Sequence, residues 1–414
     1  MQSLRIRSTE TKHDSPTRDT RTRNTTLGHA SMRTAFVYTD RYADYDYGPA
    51  HPLKILRLKL TYELIRAYGL LSLPSMRLVE TREATEEELS LFHSRDYLDI
   101  LKRGSQGSPV GDSFMYGLGP GDNPLFEGLW EWSLLATGAS IQSAQLVAEE
   151  QVDIAFNIAG GLHHALEDRA SGFCYVNDPV IVILWLMGRG KRVAYIDIDA
   201  HHGDGVQGAF YETNQVMTIS LHESGRFLFP GSGFEHEMGE GEGVGFSVNV
   251  PLHPFTDDET YLWAFEEVVP PLIGGFKPEV IVTQLGVDSF HTDPLAHLCL
   301  TTNGYSRVIE KLKALSIPWV ALGGGGYEVA NVARAWTLAW AIMNEVDLND
   351  DLPHSFERTG RRLGFRGNTL RDPPLSIPEG KRQEARIEAE RVVNYIKKTE
   401  IFERLETGAL SAKL

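Results

Sequence analysis

The segment "YIDIDAHHGDG", residues 195–205, places Asp197, Asp199, His201, His202 and Asp204 within eight positions, directly after the apolar run "RVAYI". Charge of this density is costly to bury unless it is paired or bound to a cation. Asp199 and His201, two positions apart, can reach one ion, and on an extended strand they share a face with Asp197. A third ligand must come from elsewhere in the chain, and Asp288, just after the run "EVIVTQLGV", is the best candidate. Two carboxylates and one imidazole leave a coordination position open for water or substrate, which is the layout of a catalytic metal site. Zinc suits this set, and its oxygen-rich character also admits Fe(II), Mn(II) or Co(II).

A hydrolytic centre also needs a base. His163 and His164 follow the double glycine of "AGGLHHA", where the backbone can approach closely. An imidazole acting as base is usually fixed in one tautomer by a carboxylate. Asp197 and Asp204 are not required as metal ligands and are free for that role. In "LGGGGYE", residues 322–328, no Lys-Ser/Thr follows the glycines, so a phosphate-binding P-loop is excluded. The glycines instead let Tyr327 lean over the metal and donate to an oxyanion.

The clusters acquire meaning from the elements that carry them. Short β-branched runs alternate with longer helical stretches from residue 32 onward, the pattern of an α/β protein with a mostly parallel sheet. The clearest strands are "TAFVY", "DIAFNI", "RVAYIDI", "VMTISL", "FSVNVPL", "EVIVTQLGV" and "IPWVALGG". Helical stretches include 127–149 and 258–272, and "GEGEGVGF" at 239–246 reads as a turn between strands. Four strands run directly into a polar or glycine cluster: "AGGLHHA", "DIDAHHGDG", "DSFHTD" and "GGYE". Open parallel sheets bind ligands beyond the carboxyl ends of their strands, so these distant clusters are expected to converge on one rim. Near the C-terminus, Ala385, Ala389, Val392, Val393 and Ile396 recur at helical spacing and predict an amphipathic helix docked on the body.

The 414 residues are 42% hydrophobic, ample for a large core, and carry a formal charge of −16. So acidic a chain is not expected to bind nucleic acid. No apolar run approaches about 18 residues, so no membrane span is expected. Cys174 and Cys299 lie among apolar neighbours and read as buried free thiols, which fits a reducing, cytoplasmic setting. Residues 1–31 hold six Lys/Arg, three Asp/Glu and seven Thr, with few large apolar residues. That composition predicts a disordered extension before a single catalytic domain over 32–405. A chain beginning at Met32 is therefore expected to keep its activity and melting temperature, and a large fall in either would show the extension to be docked.

With these residues on the page, a resemblance is plain. "NIAGGLHHA", "SGFCYVNDP", "YIDIDAHHGDGV", "AFYET", "VMTISLHESGRFLFPGSG", "VDSF" and "LGGGGYEVANVARAW" are similar to the zinc-dependent histone deacetylase superfamily over residues 32–355. "HTDPLAHLCLTT" and "NTLRDPP" resemble its class I-like prokaryotic branch of acetoin-utilisation proteins. The resemblance implies an open arginase-deacetylase α/β fold with an eight-stranded, mostly parallel sheet. It puts the zinc ligands at Asp199, His201 and Asp288, the histidines at His163 and His164 paired with Asp197 and Asp204, and the catalytic tyrosine at Tyr327. It implies an acyl-lysine tunnel walled by Gly172, Phe173, Phe229 and Leu295, a substrate-holding aspartate at Asp112, and a cavity arginine at Arg57. One potassium site is implied at Asp197, Asp199, His201, Ser220 and Leu221, and a second at Phe210, Thr213, Val216 and Phe246. "HESGRFLFPG" has one residue more before its Phe-Pro than nuclear members, and Pro294 replaces a basic residue; both changes touch the tunnel rim.

The implied activity is metal-dependent removal of acetyl or short acyl groups from protein lysines, with metabolic enzymes such as acyl-CoA synthetases among the substrates. An acetylpolyamine deacetylase would show a gating acidic residue, and none is evident. An arginase-like binuclear hydrolase would need carboxylates beyond the one that "VDSF" offers. A non-catalytic acyl-lysine-binding scaffold would not need the full set of histidines, aspartates and tyrosine.

Overall fold

A computed structural model describes residues 32–107 and 110–406. The extension expected over residues 1–31 lies outside the described residues. Eight strands form one sheet: β1 (Thr34–Tyr38), β2 (Met76–Glu80), β3 (Ile154–Asn157), β4 (Val193–Asp197), β5 (Val216–Glu223), β6 (Ser247–Leu252), β7 (Val280–Gln284) and β8 (Trp319–Leu322). The order is β2-β1-β3-β8-β7-β4-β5-β6, and every neighbouring pair is parallel. Seven strands are buried throughout, because helices cover both faces of a parallel sheet and the strands read as continuous apolar runs. The exception is β2, "MRLVE", an edge strand with Arg77, Leu78 and Glu80 exposed. Its weak apolar pattern is why it does not stand out in the sequence.

The four strands that end in polar clusters are β3, β8, β7 and β4, and they are adjacent at the centre of the sheet. Being parallel, they deliver all four clusters to one rim. The predicted helical stretches form as Leu129–Ala148 and Asp258–Phe276. The C-terminal helix Glu379–Lys397 buries the five residues predicted for it and packs on Asp258–Phe276 and on edge strand β6. Covering that edge removes a row of backbone groups open to pairing. Burial of Val392, Val393 and Ile396 contributes about 1.5–3 kcal/mol each, while Arg386 stacks 3.8 Å over Trp263 and Lys397 meets Glu267 at 2.6 Å. Both cysteines are free; Cys174 is buried, but Cys299, β-bridged to Asp257 with its amide donating to the Thr256 carbonyl at 2.9 Å, is only half-buried.

Candidate active site

At the end of β4 the chain leaves the sheet, so Asp199 and His201 are not on a continuing strand as the alternation argument assumes. A tight local turn brings them together: the His201 amide donates to Asp199 Oδ1 at 2.9 Å, and the Asp199 amide to Asp197 Oδ1 at 3.1 Å. Asp288 arrives from the loop after β7. His201 Nδ1 lies 3.1 Å from Asp199 Oδ1 and 3.0 Å from Asp288 Oδ2, and one ligand atom from each of the three buried residues falls within 4.8 Å of the others. The remaining oxygens are pinned: Asp199 Oδ2 accepts from Gln284 Nε2 at 2.5 Å and the Gly325 amide at 2.8 Å, and Asp288 Oδ1 accepts from the Ala200 amide at 2.8 Å. Gly325 has to be glycine, since a Cβ there would collide with the Asp288 carboxylate. Burial opposes charge on His201, yet Asp199 and Asp288 hold its imidazole well above the ordinary range. Burial and the charge of Asp199 push the Asp288 carboxyl up to about 6. The cluster is thus a receptacle for positive charge, and an oxygen-rich donor set of this kind fits a divalent cation.

Asp197 turns away from this cluster to the histidine pair. His163 Nδ1 is 2.7 Å from Asp197 Oδ2, His164 Nδ1 is 2.7 Å from Asp204 Oδ1, and the two Nε2 atoms face each other at 3.0 Å. The Tyr195 hydroxyl donates to the same Asp197 oxygen at 2.7 Å. Burial disfavours a charged His163, but Asp197 and Asp199 outweigh it and raise the imidazole to about 9. Burial and the adjacent His163 lower His164 to about 4. Near neutrality one ring of the pair holds a proton and the other is free to take one. The loop carrying them is anchored by Asp178, which accepts from the amides of Gly161 and Leu162 at 3.0 and 2.9 Å and from the Ser140 hydroxyl at 2.5 Å. Gly161 takes φ 88°, and a Cβ there would press on the backbone of Gly323, so these two strand-end loops pack backbone to backbone.

Tyr327 stands at the end of the glycine loop after β8, its ring centroid 6.4 Å from His201 and 5.6 Å from Phe173. Burial, reinforced by Asp288 and Asp199, raises its phenol well above the usual range, so it remains a donor. Asp293 fixes the loop: Oδ2 accepts from the Tyr327 amide at 2.8 Å, while Oδ1 accepts from the Leu295 amide at 3.0 Å. Burial and the Asp288 charge push the Asp293 carboxyl up to about 7. Beneath the loop, Arg57 donates to the carbonyls of Gly326 and Gly324 at 2.9 and 2.7 Å. Phe229 packs against His164 at 5.1 Å, and Phe173, held at φ 68° with its carbonyl accepting from Tyr47, packs against His51 at 4.6 Å. A left-handed non-glycine residue costs about 1–3 kcal/mol, strain typical of functional sites.

Leu295 is half-buried, and Gly172 and Phe229 line a surface groove. Asp112 does not line that groove. It is exposed at the start of the turn Ser113–Tyr116, and beyond the left-handed glycines Gly117 and Gly121 it is Asp122 that lines the groove. Both aspartates follow a glycine in sequence, so spacing alone does not separate them. Of the residues implied for potassium, Asp197 pairs in register with Ser220 on β5, next to Leu221, and the Ser220 hydroxyl meets His222 Nδ1 at 2.8 Å. Phe210 and Thr213 are joined by a backbone hydrogen bond of 3.3 Å, and Val216 and Phe246 lie at the feet of β5 and β6. Sequence reasoning gives no individual role to Gln284, Asp178 or Asp293, all buried polar groups, although "EVIVTQLGV", "SGFCYVNDP" and "DSFHTD" contain them.

An all-parallel sheet that gathers two carboxylates, an imidazole and a carboxylate-backed histidine pair at one rim has the layout of an α/β metallohydrolase. The chain belongs to the histone deacetylase family: the family model described as the histone deacetylase domain matches residues 51–343. It is 43% identical over 335 residues to histone deacetylase B of Dictyostelium discoideum, covering 80% of this chain and 79% of that one. Against human histone deacetylase 1 it is 40% identical over 328 residues, 78% of this chain and 67% of the relative. Among solved structures, an HDAC homolog from Aquifex aeolicus superposes with a TM-score of 0.80 at 35% identity, covering 87% of this chain and all of the other. An HDAC homolog complexed with SAHA gives 0.79 at 35% identity, with 88% and 100% covered.

Proposed function

We propose that the protein is a zinc-dependent deacylase that removes acetyl or short acyl groups from lysine side chains of cytoplasmic proteins, acyl-CoA synthetases among them. The observation that carries this reading is the meeting of an open Asp199–His201–Asp288 cluster with a proton-sharing histidine pair and a phenol. Those three residues would hold the metal, which when bound polarises a carbonyl and acidifies water. His164, held neutral, takes the proton from the attacking water. Asp204, by accepting from Nδ1–H, keeps the His164 tautomer in which Nε2 carries no proton. His163, held charged by Asp197, stabilises negative charge developing beside it. Tyr327 donates to the oxyanion, and the protonated imidazole then delivers its proton to the leaving lysine amine. Phe173 and Phe229 flank the apolar lysine stem. The two groups of residues around β5 would hold potassium and stiffen the ligand-bearing strand ends.

Asp122, beside the tunnel mouth, is assigned the role of holding the substrate backbone that the resemblance placed on Asp112. A charge-assisted hydrogen bond contributes about 1.5–3 kcal/mol. Asp122→Ala is therefore expected to lower kcat/KM on an acetyl-lysine peptide by about 10–100-fold, with a much smaller effect on a single capped acetyl-lysine. Asp112→Ala is expected to leave both near wild type. Equal losses on both substrates would show Asp122 to be structural, and faster turnover of acetylputrescine than of peptides would overturn the protein-substrate reading.

A further inference from the structure

A groove of about 490 Å³ is lined in part by Gly172 and Phe229, two residues that the deacylase reading places on the tunnel wall. Phe114 and Pro120 stand exposed along it, Leu118 is the buried part of its lining, and Asp122 and Arg169 are its polar edges. Phe114 is 69% exposed and Phe229 44%, so two aromatic rings that serve no core packing stand on one depression. Large apolar side chains left exposed together beside a cleft mark a binding surface.

The walls are built before any ligand arrives. The Ala170 amide donates to the Tyr116 carbonyl at 2.9 Å, the Gly119 amide to the Asn123 carbonyl at 3.0 Å, and Asn123 Nδ2 to the Gly117 carbonyl at 3.2 Å. Gly117, at φ 71°, lies so close to Ala170 that a Cβ would strike its carbonyl. The turn bearing Phe114 is thus tied to the segment that leads through Gly172 and Phe173 into the tunnel. A rigid apolar wall loses little conformational freedom on binding.

We propose that this groove receives the side chain of the residue next to the acyl-lysine and selects a large apolar one, with Phe114 as the specificity-determining residue. The inference rests on the deacylase reading above. A peptide whose acyl-lysine occupies the tunnel must leave along the surface, and the groove is the depression continuous with the tunnel wall. Gly172 forms part of both, so an adjacent residue reaches Phe114 without the backbone leaving Asp122.

The test is a set of acetyl-lysine peptides carrying Phe, Leu, Gly, Ser or Asp on either side of the lysine, with a single capped acetyl-lysine as reference. Wild type is expected to prefer Phe or Leu over Gly at one flank by about tenfold in kcat/KM. Phe114→Ala is expected to bring that ratio near one, and Phe114→Leu to restore most of it. Because the ratio is read within each variant, a general loss of activity cancels. An unchanged ratio in Phe114→Ala, or a wild-type preference for Asp, would overturn the proposal, the latter pointing to Arg169 as the reader. No turnover of even the capped acetyl-lysine by the metal-loaded wild type would instead overturn the deacylase reading beneath it.

Discussion

Removal of divalent cations by chelation should reduce turnover to background, and about one equivalent of Zn or Co per chain should restore it. The expectation follows from the charge carried by the cluster. Asp199 and Asp288 are buried within hydrogen-bond reach of one imidazole nitrogen, and their other oxygens are already committed to Gln284, Gly325 and Ala200. The two remaining oxygens, Asp199 Oδ1 and Asp288 Oδ2, both crowd His201 Nδ1, a concentration of negative charge that a cation satisfies. A cation bound by the folded chain and not by the unfolded one stabilises it by mass action. The chelated protein should therefore melt at a lower temperature, a readout independent of activity. Asp288→Ala removes one of three ligands and should lose both the bound ion and turnover. Full activity in a preparation shown to be metal-free would refute the assignment of this site.

Tyr327→Phe should lower kcat on the order of 10²–10³-fold, or about 3–4 kcal/mol of transition-state stabilisation. The substitution removes one donor and almost no volume. KM should change little, because the hydrogen bond strengthens as the oxyanion forms. Metal content should survive, since the phenol is not a ligand. His164→Ala should cost at least as much by removing the base, and the double variant should be less than additive if both groups act in one step. Near-normal kcat in Tyr327→Phe with intact metal would mean that the tyrosine only caps its glycine loop.

Much of this arrangement is legible in the sequence, for a definite reason. β3, β4, β7 and β8 are apolar on both faces, so each ends abruptly where polar residues begin, and a parallel sheet puts those ends on one rim. Legibility fails where contacts depend on the path of a loop. Alternation predicts that Asp197 shares a face with Asp199 and His201, but the strand stops at Asp197, and its side chain pairs with His163. Asp112 and Asp122 have the same local sequence character, and only the turn through Gly117 and Gly121 decides which lines the groove. Edge strand β2 is faint because half its surface is wet. Asp293 and Asp178 lie inside quoted segments, but spacing gives them no role; their importance lies in the amides that reach them.

The two-handed grip of Asp293 has a consequence for how such a protein can change. One oxygen holds the backbone of Tyr327 and the other holds that of Leu295, so a single carboxylate ties the tyrosine proposed as oxyanion donor to the residue that the resemblance assigns to the tunnel wall. On the proposed roles, breadth of substrate and speed of chemistry are heritable as one trait. Diversifying residues 294–297 around a retained Asp293 alters the rim while the phenol stays in register. Letting Asp293 itself vary removes the tie, and variants gained that way must rebuild the position of Tyr327 from some other contact before a wider tunnel is of any use.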